Sequence, residues 1–446
     1  MRLARAAAGV VFASLILLSA PAFAQGTGGL GGLLLRFFSP ENPVVLEGNQ
    51  ENPEFSHGAH FTSQPNAQAL LRQLNQGLAT QLSTFPVGSS SAGFTFTFDE
   101  TLGVYNRTAE SFGPIFTERP LTAGRGKFSF GVNYRRATWD RFQGHDLENG
   151  DIQLFLVHED TNRDGTNTNL WFEGDLIRAD LSINLTTDTT VLFANYGLAE
   201  RLDVGVAVPI QRVDLGASIL TTIDHVATAE DPFILHQFEG GNQSKTFTES
   251  GTASGLGDVV VRGKWNFFRN DSFAMAAAAD LRLPTGKEED LLGSGATQVK
   301  TFLVFGGSPG VFSPRASIGY TFSSGGSDYT GDLPEELNYT AGFDVAPHPR
   351  LTLTADYIGR TLLDTQFLVD RQQTYNYSTR TDPSVFQVER MTVGSEDGDL
   401  NLSLASVGLK VNPVGRLLFV VNALIAIGNG GLQDDVTPLF GIDYTF

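Results

Sequence analysis

Two-residue alternation of apolar and polar side chains constrains this chain more than any other feature. In "KFSFGVNYR" one face holds Phe128, Phe130, Val132 and Tyr134, and the other holds Lys127, Ser129, Gly131, Asn133 and Arg135. "LDVGVAVPI" sets Leu202, Val204, Val206, Val208 and Ile210 against Asp203, Gly205, Ala207 and Pro209. The same period recurs in "DVVVRGKWNF", "ELNYTAGFDV" and "LTLTADYIGR". A period of two is the signature of a strand with one buried and one contrasting face. Each segment keeps its pattern for roughly 9–10 residues, the length a tilted strand needs to cross a bilayer. Strands of soluble sandwiches are shorter, about 5–6 residues.

The connections sort in the same sense. Tight turns are expected near 123–125, 198–200, 269–271, 307–310, 347–349 and 413–415. Longer polar segments lie between them, near 140–171, 217–254, 287–296, 325–334 and 365–398. Short and long loops in alternation are the mark of an outer-membrane barrel. The prediction is an all-β, transmembrane, antiparallel up-and-down β-barrel of roughly 14 strands, the first two at 92–98 and 111–122. Within 173–197 the apolar parity flips after "TTDTT". Ile177, Ala179, Leu181 and Ile183 are expected to face out before it; a β-bulge accounts for the flip and is preferred to a turn near Asp188, which would put two tight turns in succession on opposite rims.

The N-terminus reads as a secretory leader. Arg2 and Arg5 precede an apolar core, and Ala22-Phe23-Ala24 is a cleavage site, giving a leader over residues 1–24. Residues 25–91 do not alternate. Around Asn66 to Thr84 they become helical, with Leu70, Leu71, Leu74, Leu78 and Leu82 on one stripe. That amphipathic helix must bury its stripe, as a plug in the lumen, against the periplasmic rim or on a partner. The barrel itself is expected over 92–446.

Composition excludes several classes. The chain has no Cys, hence no disulfide or thiolate chemistry. Its formal charge is -19, which argues against nucleic acid as a partner. None of its seven His sits in a hydrolase or metalloprotease frame, and no enzymatic activity is expected. His57 and His60, three apart in a Gly-bearing loop, read first as a solvated loop and second as a metal pair. "DTNRDG" places Asp160, Asn162 and Asp164 before Gly165, as in the first half of a calcium loop. Position twelve is Trp171 rather than a carboxylate, so any calcium site would be loose. No other cofactor is expected.

By parity, Arg178, Asp180, Asp203, Arg262, Lys264, Asp280, Arg282, Asp356, Arg360 and Asp443 should line the lumen. Charges of both signs imply a paired network rather than a single-sign selectivity ring.

"GLGDVVVRGKWNFF" at Gly255 to Phe268 and "LRLPTG" ending at Gly286, with "YGLAERLDVGVAVPI" before them, resemble the outer-membrane proteins named for the meta-pathway of phenol degradation. These are in turn similar to the long-chain fatty-acid transporter barrels. The resemblance covers about 190–446. It implies a channel passing small hydrophobic or aromatic compounds by passive diffusion, in the outer membrane of a Gram-negative-type bacterium. The alternative is a structural or adhesive barrel with a plugged lumen and working external loops. The closing "FGIDYTF" reads as the last strand, with Phe440, Ile442, Tyr444 and Phe446 toward lipid. Tyr444 and Phe446 resemble the signal read by the outer-membrane assembly machinery. Expected partners are therefore lipid, that machinery and small hydrophobic solutes.

Overall fold

The computed structural model describes residues 29–47, 57–86, 88–89, 93–99, 104–107, 109–230, 235–307 and 311–446. The leader expected over 1–24 lies outside them. Helix α1 runs Pro65–Ser83, and fourteen strands form one antiparallel sheet. In chain order they are β1 Phe128–Trp139, β2 Ile152–Val157, β3 Leu176–Ala199, β4 Leu202–Asp224, β5 Ser244–Leu256, β6 Val259–Arg269 and β7 Phe273–Leu283. There follow β8 Thr297–Gly307, β9 Phe312–Ser324, β10 Glu336–His348, β11 Leu351–Tyr377, β12 Phe386–Val411, β13 Leu417–Ile427 and β14 Val436–Thr445.

Twelve of these strands close a ring. Consecutive strands pair from β6 round to β14, β14 pairs β1 with Phe440 opposite Tyr134, and β1 pairs β3 with Phe130 opposite Ala194. β3 pairs β4, and β4 pairs β6 with Gly205 opposite Arg262. Closure leaves no free edge across the ring. The other two strands prolong the wall at one end. β2 continues the line of β1 along β3, and β5 continues the line of β6 along β4. Much of what the sequence presents as long loops is thus strand raised above the ring, as is the β11–β12 hairpin out to Tyr377 and Phe386. This end is called the loop end. The other end, with tight turns and Phe446, is called the turn end.

Outward side chains form an apolar belt that includes Phe130, Val204, Trp265, Leu303, Phe343, Phe419 and Ile442, all more than a third exposed. Inward positions on the same strands carry Asp203, Lys264, Arg315, Asp356 and Lys410, all buried. An apolar outside around a charged inside is the inversion that lipid imposes. The protein is a transmembrane barrel of the outer-membrane type. No helix among the described residues is long and apolar enough to cross a membrane.

Three sequence expectations are corrected. Residues 111–122 form no strand; they run inside the ring, and Pro114 and Pro120, which cannot donate to a ladder, are the reason. Within 92–98 only a short hairpin forms, Phe96–Asp99 against Val104–Arg107, and the wall begins at Phe128. No bulge interrupts β3 at Asp188: its register with β4 is continuous from Leu176 opposite Asp224 to Gly197 opposite Asp203. Ile177, Ala179, Leu181 and Ile183 point inward and are fully buried.

They do so because α1 lies inside the raised wall. Pro65 starts the helix where a missing N–H costs nothing. Leu71, Leu74, Leu78 and Leu82 are buried against Leu33, Leu34, Phe37 and Phe38 of the preceding segment and against Leu154, Ile177, Leu181 and Ile219 of the wall. Each fully buried leucine contributes about 1.5–3 kcal/mol. The last turn is held by wall cations. Arg282 Nη1 donates to Ser83 O at 2.7 Å, and Arg360 Nη2 donates to Thr84 Oγ1 at 2.9 Å. Positive groups belong at a helix C-terminus.

The two quoted motifs meet at the step between β5 and β6. Gly257 N donates to Pro209 O at 2.8 Å, and Val259 N donates to Thr285 Oγ1 at 3.0 Å. Asp258, almost fully buried, accepts from Gly286 N, Ser294 N and Ser294 Oγ at 2.6–3.0 Å. "GLGD" and "LPTG" therefore brace a one-residue offset in the wall and clamp the 284–296 loop over it.

Candidate functional site

The lumen is the candidate site, and two pieces of chain occupy it. The N-terminal piece enters from the loop end as α1 and continues through Phe85 and Pro86. Toward the turn end, Gly93 lies against the buried Leu418. Residues 109–123 then form a loop that rises into the lumen from the turn end. Its backbone is tied to the wall at several levels. Phe112 N donates to Thr352 Oγ1 at 2.9 Å, and Ala123 N donates to Asp203 Oδ2 at 3.0 Å.

At the tip sits Glu118, 4% exposed. It accepts from Arg262 Nη1 at 2.6 Å, from Lys264 Nζ at 2.9 Å and from Ser89 Oγ at 3.2 Å. Arg262 is shared with Asp280, both of whose oxygens lie 2.6 Å from it. Lys264 also donates to Arg119 O at 3.1 Å and lies 3.8 Å from Asp203. Arg315 pairs with Asp344 nearby. The result is a layer of alternating charges, compensated in pairs, across the middle of the barrel. A buried charge persists only when so compensated.

Cavities flank this layer. On its loop-end side one of about 60 Å³ is lined by Phe85, Ile115, Phe116, Val191, Phe193 and Leu439, with Arg135, Arg262 and Arg282 at its border. A second, of about 80 Å³, shares Pro86 with it and is lined by charges, among them Asp280, Lys300, Glu336 and Arg360. Below the layer, at the turn end, about 440 Å³ is bounded by Arg119, Arg201, Phe273 and Arg315. The aromatic lining of the first cavity comes partly from the inner chain, Phe85 and Phe116, and partly from Phe193 of β3, with Leu439 of β14 beside them. Arg135 lies over the Phe85 ring at 3.6 Å, and Phe85 meets Trp139 edge-on at 5.9 Å.

Of the ten charges that parity assigns to the lumen, eight face it: Asp203, Arg262, Lys264, Asp280, Arg282, Asp356, Arg360 and Asp443. Arg178 and Asp180 do not. They pair with each other at 3.0 Å on the outer surface of the raised wall, because the same parity puts Ile177 and Ala179 inside. Parity also assigns Arg315 and Lys410 to the lumen. Glu118 and Arg119 were hidden by reading their segment as a strand, although Pro114 and Pro120 were the warning.

The "DTNRDG" loop closes on itself. Asp160 Oδ2 accepts Gly165 N at 2.7 Å, Asp164 Oδ1 accepts Thr166 N at 2.9 Å, and Asp164 Oδ2 accepts the amides of Asn162 and Asn169 at 2.7 Å. The Asp164–Thr166 bond, and Asp164 N donating to Asn162 Oδ1 at 3.1 Å, are Asx-turn bonds, and the others tie the loop across itself. Tyr444 and Phe446 sit at the closing seam. Phe446 N donates to Phe128 O at 2.7 Å, and its ring lies 5.6 Å from Phe128 and 4.7 Å from Tyr444.

Residues 159–380 match the model of the family described as "Putative MetA-pathway of phenol degradation". The match starts earlier and ends sooner than the resemblance read from the motifs. No curated protein matches the chain in sequence. Among solved structures, an outer membrane channel from Pseudomonas putida F1 is 11% identical with a TM-score of 0.44, over 73% of this chain and 97% of that one. A FadL homologue from Pseudomonas aeruginosa is 11% identical at 0.30, over 72% and 90%. The toluene transporter of Ralstonia pickettii is 10% identical at 0.23, over 72% and 89%. Likeness at this level says nothing about cargo.

Proposed function

With residues 159–380 in the MetA-pathway family, we propose that this barrel is an outer-membrane channel for small, largely apolar organic molecules, phenol-like aromatics among them. The observation that carries the reading is the aromatic cavity inside a lumen whose wall is otherwise charged. A filler network needs no apolar chamber, whereas an aromatic solute needs one that is apolar with a few polar anchors. Molecules enter at the loop end, dwell beside Phe85, Phe116 and Phe193, and leave through the turn-end chamber by passive diffusion. The 109–123 loop, pinned at Glu118, is the barrier between the two chambers.

A second reading has its own observation. The charged layer around Glu118 separates the chambers, as a permanently closed barrel with working external loops would require. Swelling of liposomes containing the purified protein separates the two. Under the channel reading, phenol and benzyl alcohol enter faster than a sugar at equal osmotic strength. A barrel that neither passes nor binds the aromatics belongs to the second reading.

A further inference from the structure

Four of the chain's seven histidines meet at one point near the loop end. His57 and His60 come from the N-terminal segment, His158 from the residue after β2, and His236 from the connection between β4 and β5. One ring nitrogen of each lies within 4.8 Å of the others. His57 Nδ1 and His236 Nε2 are 3.1 Å apart. Ring centroids are 4.7 Å apart for His57 and His60, and 4.5 Å for His60 and His158. A tetrahedral ion with metal–nitrogen bonds of about 2.0–2.1 Å holds its ligand nitrogens about 3.3–3.4 Å apart. Small ring rotations bring this group to that spacing.

The hydrogen bonds already select the right tautomers. Asp175 is fully buried, and its Oδ2 lies 2.8 Å from His236 Nδ1, which therefore donates and leaves Nε2 with its lone pair facing the cluster. Asp175 is itself fixed by Ala227 N, Thr228 N and Thr228 Oγ1. The carbonyl of Glu159 lies 2.6 Å from His158 Nδ1, so His158 Nε2 is the free lone pair. That Nε2 and His60 Nδ1 are buried polar atoms with no hydrogen-bond partner. Such orphans cost about 1–3 kcal/mol each, and a central cation satisfies both. A carboxylate or carbonyl behind the imidazole is the usual support of a metal-ligating histidine. Phe61 and Phe172 wall the site, 5.2 Å and 4.9 Å from His158 and His57.

We propose that His57, His60, His158 and His236 form a tetrahedral site for a divalent transition ion of the zinc class. Four imidazole nitrogens suit such an ion and not calcium or magnesium. The ion ties the segment that leads into α1 to two connections of the raised wall, and so fixes the entry of the inner chain. This stands whatever the lumen passes.

The test uses full-length protein in detergent, without a polyhistidine tag, stripped with a chelator and titrated with zinc alone by calorimetry. One zinc per chain is expected. Cobalt substitution should give the intense visible bands of a tetrahedral site. His158→Ala should abolish stoichiometric binding, Asp175→Asn should weaken it about 10–100-fold, and His348→Ala, in a turn-end turn, should leave it unchanged. Folding of each variant is read from heat-modifiable migration. Absence of stoichiometric zinc on the folded wild-type chain overturns the proposal. So does binding that survives both His158→Ala and the milder His158→Gln in folded barrels.

Discussion

Replacing Glu118 by Gln keeps the shape of the loop tip and removes its charge. In the structure Glu118 accepts two charge-assisted hydrogen bonds, from Arg262 at 2.6 Å and Lys264 at 2.9 Å. Bonds of this kind contribute about 1.5–3 kcal/mol each. The loss is not the full sum. Arg262 keeps both oxygens of Asp280, Lys264 keeps Asp203 at 3.8 Å, and the Gln amide can still accept one bond. A net loss of about 3 kcal/mol in the docked state is expected, at the low end of the roughly 3–5 kcal/mol that leaving a buried ion uncompensated costs. At 1.4 kcal/mol per tenfold, that multiplies the undocked population of the 109–123 loop about 100-fold, as long as it stays the minor state. The remaining ties, Phe112 to Thr352 and Ala123 to Asp203, keep the loop tethered. Single-channel recording in planar bilayers reads the change as a rise in open probability at similar unit conductance. Glu118→Gln combined with Lys264→Met should be non-additive, because both changes break one contact. Equal open probability in wild-type and Glu118→Gln channels, both heat-modifiable on gels, would show that this layer is not the barrier.

Further expectations address placement and assembly. Arg178→Ala should leave conductance unchanged and cost at most about 1 kcal/mol, since its pair with Asp180 is exposed on the outer wall; Arg262→Ala should change conductance, and the reverse pattern would refute the inner and outer assignments. Deleting Phe446 removes the rings' contact at 5.6 Å with Phe128 and the last ladder bond of the seam; assembled, heat-modifiable protein should fall several-fold at equal synthesis, measured by pulse labelling. A Cβ on Gly359 would lie 2.1 Å from Tyr339 Cε2, so Gly359→Ala should lower stability by about 1–3 kcal/mol in a urea titration of the lipid-embedded barrel. Chelation of bound metal should raise amide exchange at 58–61 and leave β8 and β9 unaffected.

Alternation made the barrel legible because a strand in lipid has only one workable arrangement of apolar and polar faces. The lumen charges on β4, β6, β7, β11 and β14 followed from that rule. The inner chain did not, because nothing local marks a segment as interior to a barrel: "GPIFTERPL" mixes apolar and polar residues and passes for a strand until its two prolines are weighed. The histidine site was legible only in its His57 and His60 half. His158 and His236 come from segments that share no motif with the first pair, and only the raised wall brings them together.

The parity flip in β3 shows why the sequence rule failed where it did. Inward positions keep one parity along the whole strand, from Ile177 through Thr187 and Thr189 to Asn195. What changes is the solvent on the other side. Near the turn end lipid lies outside and polar chain inside, so Leu192, Ala194 and Tyr196 point out. Above the lipid water lies outside and α1 inside, so Ile177, Leu181 and Leu185 point in. β4 flips in the same way, with Val204, Val206 and Ile210 outward and Val213, Leu215 and Ile219 inward. The two flips fall on paired residues, Asp188 opposite Arg212. At that level the outer surface carries Arg136, Asp188, Arg212 and Asp214, with Tyr134 Oη donating to Asp188 Oδ1 at 2.5 Å. A bulge shifts parity in one strand alone. A change of solvent shifts the pattern in neighbouring strands at one height and leaves the register intact, so paired flips locate the edge of the membrane from sequence once the pairing is known.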